Sequence, residues 1–222
     1  MRQVTLDEVY QLASDARQAI WNIAGQYGRE PKIYLHWSAG RYDTCFDDYH
    51  INITGDGSIY VATDDLSEVL NHTWRRNSGA IGISLCCAYG ATTNDLGSYA
   101  PTADQIEVMA QVIWKVADAL WLTIDTDHVM THGEAADSID GIYTYSEDDC
   151  YGPQYTVERW DLQYLGTEES SYYTSDHSDP VTGGNVLRGK ATWYKQQYDS
   201  EQHQEYLNII LRVKIILSLL FF

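Results

Sequence analysis

The chain has 222 residues, which is long enough to bury one core and to carry a modest additional segment. Its 14 Lys and Arg residues stand against 32 Asp and Glu residues, which gives a net charge of −18. Because phosphate binding needs a cationic surface, this charge argues against a nucleic-acid partner.

The first half of the chain predicts one helix and four strands. Residues 1–20 have apolar side chains at helical spacing, and they lack the cationic start and apolar run of a signal peptide. Residues 33–35 predict a short strand that ends at His36. Residues 49–63 alternate around Asp56-Gly57 and predict a β-hairpin. Residues 80–90 form a continuous apolar run next to glycines, as is typical of a buried central strand.

The second half predicts a long helix and a further strand. Residues 102–120 are apolar at helical spacing after Thr102, which can cap the helix. Residues 127–129 lead into His132, the second histidine that follows a predicted strand. Residues 140–155 are rich in Tyr, Asp, Gly and Ser and predict a loop at the rim of a site. We therefore predict a single α/β domain over residues 1–166, with a mixed central β-sheet flanked by helices.

The composition changes at Thr167, and residues 167–222 predict a linker and a short C-terminal tail. The last 16 residues include 12 apolar ones, but Arg212 and Lys214 interrupt them. Since a spanning helix needs about 20 apolar residues, we expect no transmembrane anchor. We also expect this segment to be dispensable for the chemistry. A self-associating helix and a non-native end to the reading frame fit it equally well, so the oligomeric state stays open.

Three short motifs place potential metal ligands at the edges of these elements. LHWSAG contains His36, THGEAAD contains His132, and ERWD contains Asp161. Two imidazoles and a carboxylate with an open fourth position are the ligands of a catalytic rather than a structural zinc. Such a zinc activates water and polarises a carbonyl, so the motifs predict a hydrolase. Asp137 and Asp140 are alternatives to Asp161 as the third ligand.

Five motifs in a fixed order carry a family resemblance. They are His36-Trp37-Ser38-Ala39, Tyr49-His50 before the hairpin, Asn71-His72 before the strand with Ile81-Gly82-Ile83, His132-Gly133-Glu134-Ala135, and Arg159-Trp160-Asp161. Together they resemble the zinc-dependent N-acetylmuramoyl-L-alanine amidases, the type 2 amidases of the phage-lysozyme and peptidoglycan recognition protein superfamily. The resemblance covers roughly residues 32–165. Two features depart from the pattern: the last two ligand positions are 29 residues apart, and Arg159 stands where lysine is familiar.

The resemblance implies a site and a substrate. It implies that His36, His132 and Asp161 hold Zn²⁺. It also implies that Tyr49 assists the attacking water or the tetrahedral intermediate, that Arg159 stabilises the oxyanion, and that His72 binds substrate in the groove. The partner would be peptidoglycan, cleaved between the lactyl group of N-acetylmuramic acid and the L-alanine of the stem peptide.

Several of these residues have a structural alternative. The ring of Tyr49 can pack against the hairpin, and Arg159 can pair with Glu158 at the surface. Glu134 can orient His132 or cap a helix, and we favour the cap. His50 alternates with Tyr49 along the strand, and we expect it to be structural or to support the site from behind.

Two alternatives concern the function as a whole. Some members of the superfamily bind peptidoglycan without cleaving it, usually after loss of a ligand, so a non-catalytic binding module is the alternative to an enzyme. Without a signal peptide, we expect a phage or prophage endolysin that is released from the host cytoplasm to the cell wall. The alternative is a bacterial cytoplasmic enzyme that recycles wall fragments.

Overall fold

A computed structural model describes residues 1–141 and 161–220 of the chain, with side chains up to residue 212. The strands are β1 (Arg2–Val4), β2 (Lys32–Trp37), β3 (Ile51–Ile53), β4 (Ile59–Val61), β5 (Ala80–Leu85) and β6 (Val129–Thr131). The helices are α1 (Leu6–Gln26), α2 (Ala103–Leu120), α3 (His132–Ala136) and α4 (Gly183–Leu220). Arg159 and most of the loop predicted over residues 140–155 lie outside the described residues.

The strands form one mixed sheet in the order β1-β4-β3-β5-β2-β6. β2 runs parallel to both of its neighbours, β5 and β6, and β3 runs parallel to β5. β3 and β4 form the predicted antiparallel hairpin, and β1 extends the sheet beyond β4. The predicted α/β class, with a mixed central sheet flanked by helices, is therefore confirmed.

Alternation of side chains along β2 gives the sheet two different faces. Ile33, Leu35 and Trp37 are buried in the main hydrophobic core, which also takes in the buried sides of α1 and α2. Tyr34 belongs to a separate small cluster on the opposite face. His36 lies on the same face as Tyr34, because every second side chain of a strand points to the same side. This second face carries the polar side chains considered below.

α1 and α2 both begin with a capping box. The Thr5 hydroxyl accepts a hydrogen bond from the backbone of Glu8, and the Glu8 carboxylate accepts one from the backbone of Thr5. Thr102 and Gln105 form the same reciprocal pair at the start of α2. These bonds satisfy backbone N–H groups that have no partner within the helix. The cap predicted at Thr102 is confirmed.

The prediction that a helix begins the chain is wrong for the first residues. Arg2–Val4 form an edge strand, in which Val4 pairs with Ile59 of β4, and α1 begins only at Leu6. Three residues are too few to show an alternating pattern. Their partner lies far along the chain, so only tertiary pairing identifies the strand.

The first turns of α4 pack on the domain. Leu187 and Ala191 are fully buried in the main core, and Lys190 forms an ion pair with Glu107 of α2. Residues 196–209 of the same helix are exposed. The division of the chain at Gly166 stays a prediction, but the segment beyond it contributes to the core. Within the described part of the chain, no helix has the length and apolar character needed to cross a membrane.

Candidate metal centre

Parallel pairing of β2 with β6 brings two histidines to the same end of the sheet. Leu35 pairs with Thr131, and the residue that follows each of them is a histidine, His36 on β2 and His132 at the start of α3. The Thr131 hydroxyl accepts a hydrogen bond from the backbone of Glu134, and the chain turns into α3 at His132. The two imidazoles therefore leave neighbouring strands side by side.

Three possible ligand atoms meet at this point, in His36, His132 and Asp161. The Nδ1 atoms of the two histidines are 3.1 Å apart, and Oδ2 of Asp161 lies 3.4 Å from each of them. A tetrahedral zinc with ligands at about 2.0–2.1 Å holds its donor atoms about 3.3 Å apart. The spacing and the chemistry of the donors therefore fit a tetrahedral metal ion with its fourth position open. Among the described residues, this is the only group of His, Cys, Asp and Glu found with such spacing.

The surroundings of His36 keep its imidazole in the neutral form. The side chain is fully buried, and burial lowers its pKa well below the ordinary value. The neighbouring His132, His72 and His50 lower the pKa further. A metal binds the neutral imidazole, so this environment favours the ligand form.

Thr73 contacts the nitrogen of His36 that faces away from the other potential ligands. Its hydroxyl lies 3.3 Å from Nε2 of His36 and 2.9 Å from Nδ1 of His72. The arrangement is satisfied when Nε2–H of His36 donates to the hydroxyl and the hydroxyl donates to His72. Nδ1 of His36 then presents its lone pair towards His132 and Asp161.

Asp161 is oriented by the backbone of β2. Its Oδ1 accepts a hydrogen bond of 2.6 Å from the amide of Trp37, which leaves Oδ2 facing the two histidines. The other candidates for the third ligand are engaged elsewhere. Asp137 pairs with His177 at 2.9 Å, and Asp140 forms a two-bond ion pair with Arg76. The structure therefore brings Asp161, rather than Asp137 or Asp140, to the histidines.

Tyr49 and His72 lie beside the three potential ligands. The ring of Tyr49, which is half-buried, is 5.0 Å from that of His36, and the ring of His72 is 5.4 Å from it. His72 and His132 line a shared groove of about 310 Å³, together with Asn71, Thr73, Trp74, Arg75 and Asn77. Burial lowers the pKa of His72 well below its ordinary value, so this side chain is neutral at the groove.

His50 supports His72 from behind. Its Nδ1 accepts a hydrogen bond from the amide of Gly82, and its Nε2 donates to the carbonyl of Glu68. A Cβ atom at Gly82 would lie 2.6 Å from the ring of His72, so the glycine leaves room for that ring. His50 thus joins β5 to the chain segments on both sides of the hairpin. The expectation that it is structural agrees with these bonds.

Sequence reasoning missed two residues that hold this site. Thr73 directly follows His72, and a hydroxyl beside a motif histidine was a usable signal. Arg188 pairs with Glu134 at 2.7 and 2.8 Å. No sequence signal indicated this pair, because the two residues are far apart in the chain. Glu134 itself caps α3 through the Thr131 amide, as favoured above.

A family model described as N-acetylmuramoyl-L-alanine amidase matches residues 7–153. The chain belongs to this family. The matched range of the amidase contains His36, Tyr49, His72 and His132, but it ends before Asp161, which joins the site by its position in the fold. Membership supports an amidase whose substrate is peptidoglycan. Comparison with curated proteins and with solved structures gave no match.

The burial of His50 predicts a pH-dependent stability. Burial lowers its pKa from 6.5 to about 4, so the unfolded chain takes up the proton first as the pH falls. The contribution of neutral His50 to the free energy of unfolding is complete above pH 6.5. It is lost as the pH falls towards 4, and the total loss is roughly 3 kcal/mol. Gln has both a donor and an acceptor but does not titrate. We therefore expect His50→Gln to show a smaller loss of stability over this range than the wild type.

Urea unfolding at several pH values, with a chelator in every sample, measures this difference. His203 is exposed on α4, so His203→Gln serves as the matched control and should follow the wild type. An identical pH dependence in wild type and His50→Gln would assign the effect to other groups.

Proposed function

We propose that this amidase is a zinc-dependent hydrolase that cleaves the amide bond between N-acetylmuramic acid and the L-alanine of peptidoglycan. The observation that supports the proposal most is the spacing of the donor atoms of His36, His132 and Asp161, at 3.1 and 3.4 Å. Zinc held in such a site supplies Lewis-acid polarisation of a carbonyl and activation of water. In the net reaction, water adds to the lactyl carbonyl carbon, the C–N bond breaks, and L-alanine leaves with a free amino group.

The side chains around the site have separate roles in this proposal. His36, His132 and Asp161 hold the ion, and Thr73 holds His36 in the tautomer that binds it. The Tyr49 hydroxyl donates a hydrogen bond to the oxygen on which negative charge develops. His72, neutral and in the wall of the groove, binds the substrate beside the scissile bond. Arg159 stabilises the same oxyanion; its guanidinium keeps its proton, so it transfers none.

A binding module without activity is the second candidate function. Members of that kind usually lack a ligand, whereas a histidine, a histidine and an aspartate occupy all three positions here. The buried, neutral state of His36 also suits metal binding more than the binding of a sugar or peptide at the surface. These features favour the enzyme, and the metal content separates the two candidates.

We expect the purified protein to carry about one zinc per chain, as a site with three protein ligands does. His36→Ala and His132→Ala should each hold much less than one equivalent, because two ligands bind zinc weakly. Elemental analysis after gel filtration gives the ratio of metal to protein.

The control for zinc content is His203→Ala, which changes an exposed histidine on α4 and should keep the metal. If His36→Ala retained a full equivalent, His36 would not be a ligand. If the wild type held no zinc after incubation with it, the binding-module alternative would gain support.

Tyr49→Phe tests the role of the hydroxyl. The ring and its contact with His36 remain, so zinc content and substrate KM should stay close to wild type. Loss of one oxyanion donor costs roughly 10²–10³ in kcat elsewhere, and we expect at least about tenfold here because zinc and Arg159 share the charge. Steady-state hydrolysis of a soluble muropeptide measures both constants.

The matched control for Tyr49→Phe is Tyr27→Phe, which removes the hydroxyl of an exposed ring after α1. It should have normal kinetics. Normal turnover of Tyr49→Phe would leave that ring with a packing role only.

The biological setting is a further part of the proposal. We favour an endolysin, for which intact cell-wall sacculi are the natural substrate. We therefore expect sacculi to be cleaved at least as efficiently as soluble muropeptides at equal concentrations of amide bonds. Turbidity loss for sacculi and chromatography for muropeptides give the two rates. A clear preference for soluble fragments would support the wall-recycling enzyme instead.

A further inference from the structure

We propose that Arg188, on the C-terminal helix, is a positioning residue for the metal ligand His132. Arg188 lies beyond residue 153, where the family match ends. The inference rests on the proposed function in one respect, that His132 binds zinc. It replaces the expectation that residues 167–222 are dispensable for the chemistry.

Arg188 is buried together with its carboxylate partner. Its exposed fraction is 6%, and that of Glu134 is 1%. Nη1 and Nη2 of Arg188 donate to the two carboxylate oxygens of Glu134 at 2.8 and 2.7 Å. A second bond from Nη1 reaches the carbonyl of Val129, and one from Nη2 reaches Asn185. A two-bond guanidinium–carboxylate pair fixes both position and orientation, and burial excludes the water that would loosen it.

Glu134 passes this orientation on to His132. One carboxylate oxygen accepts the hydrogen bond of the Thr131 amide at 2.8 Å, which completes the capping box of α3. α3 has only five residues, beginning at His132. A helix this short is not stable by itself, so its direction depends on contacts with the rest of the protein. The pair of Arg188 with Glu134 therefore sets where the first residue of α3, the potential ligand, stands.

The other end of α3 is held by the same C-terminal segment. Asp137, the capping residue directly after the helix, pairs with Nε2 of His177 at 2.9 Å. Nδ1 of His177 in turn lies 3.1 Å from the side-chain amide of Gln163. Both ends of the short helix are thus connected to residues that follow the third potential ligand in the chain.

The close approach of α4 to Glu134 depends on a glycine. A Cβ atom at Gly184 would lie 2.7 Å from Oε1 of Glu134 and 3.0 Å from Nη1 of Arg188. Gly184→Ala would therefore push the two partners apart while leaving both charges in the chain. This variant disturbs the geometry of the pair without creating a lone buried carboxylate.

The closing experiment measures zinc affinity in the full-length protein by competition with a chromophoric chelator at pH 7. We expect Arg188→Met and Gly184→Ala to bind zinc about tenfold or more weakly than wild type, the range found when groups that orient ligands are removed. Arg188→Lys keeps the charge but can make fewer bonds to Glu134, so its affinity should lie between those of wild type and Arg188→Met. Circular dichroism at the assay temperature verifies that each variant is folded.

Two controls separate positioning from a general loss of stability. Lys190→Met removes an ion pair of the same helix with Glu107, away from α3, and should keep wild-type affinity. Ile20→Ala creates a cavity in α1, on the opposite side of the sheet, and should be less stable but still bind zinc normally. Equal loss of affinity in Ile20→Ala and Arg188→Met would overturn the positioning role.

The remaining outcomes are also distinct. If the wild type, Arg188→Met and Gly184→Ala are all folded and bind zinc equally, Arg188 has no positioning role, and the proposed function stands. If the wild type binds no zinc, the proposed function fails, and this inference fails with it. If Arg188→Met does not fold, Gly184→Ala and Arg188→Lys still decide the question.

Discussion

The parallel pairing of β2 with its two neighbours is the constraint on which the site depends. Because β2 lies between β5 and β6, its end is paired on both sides, and this pairing places His36 beside His132. The amide of Trp37, at the end of the same strand, then orients Asp161. The end of one strand, β2, thus sets the positions of three side chains from distant parts of the sequence.

A chain of buried polar side chains supports that strand end on the face opposite α1 and α2. Gly82 donates to His50, the ring of His72 packs on Gly82, and Thr73 joins His72 to His36. Burial keeps each of these imidazoles neutral, as their lowered pKa values indicate. A buried network of this kind is costly when one partner is missing, and its members therefore constrain one another. Burial on this face of the sheet therefore keeps the histidine in the neutral state that a metal ligand needs.

The C-terminal segment has a structural role that its amino-acid composition does not indicate. α4 contacts the open edge of β6 at the carbonyl of Val129, which accepts a hydrogen bond from Arg188, and it places Leu187 in the main core. An uncovered strand edge would leave backbone groups available for pairing with another chain. The first turns of α4 therefore contribute to the packing of the domain, while residues 196–209 of the same helix are exposed.

The sequence by itself determined the class of the fold, the hairpin, the cap at Thr102 and the two histidines that follow strands. These features depend on local patterns: alternation, helical spacing, a hydroxyl before a helix, and histidines at strand ends. Only the tertiary structure decided that Asp161 rather than Asp137 or Asp140 meets the histidines, because each carboxylate takes the partner that the fold brings to it. The same holds for the strand at Arg2–Val4 and for the pair of Arg188 with Glu134. Their stabilising partners are distant in the chain, and pairing across such distances leaves no local pattern to read.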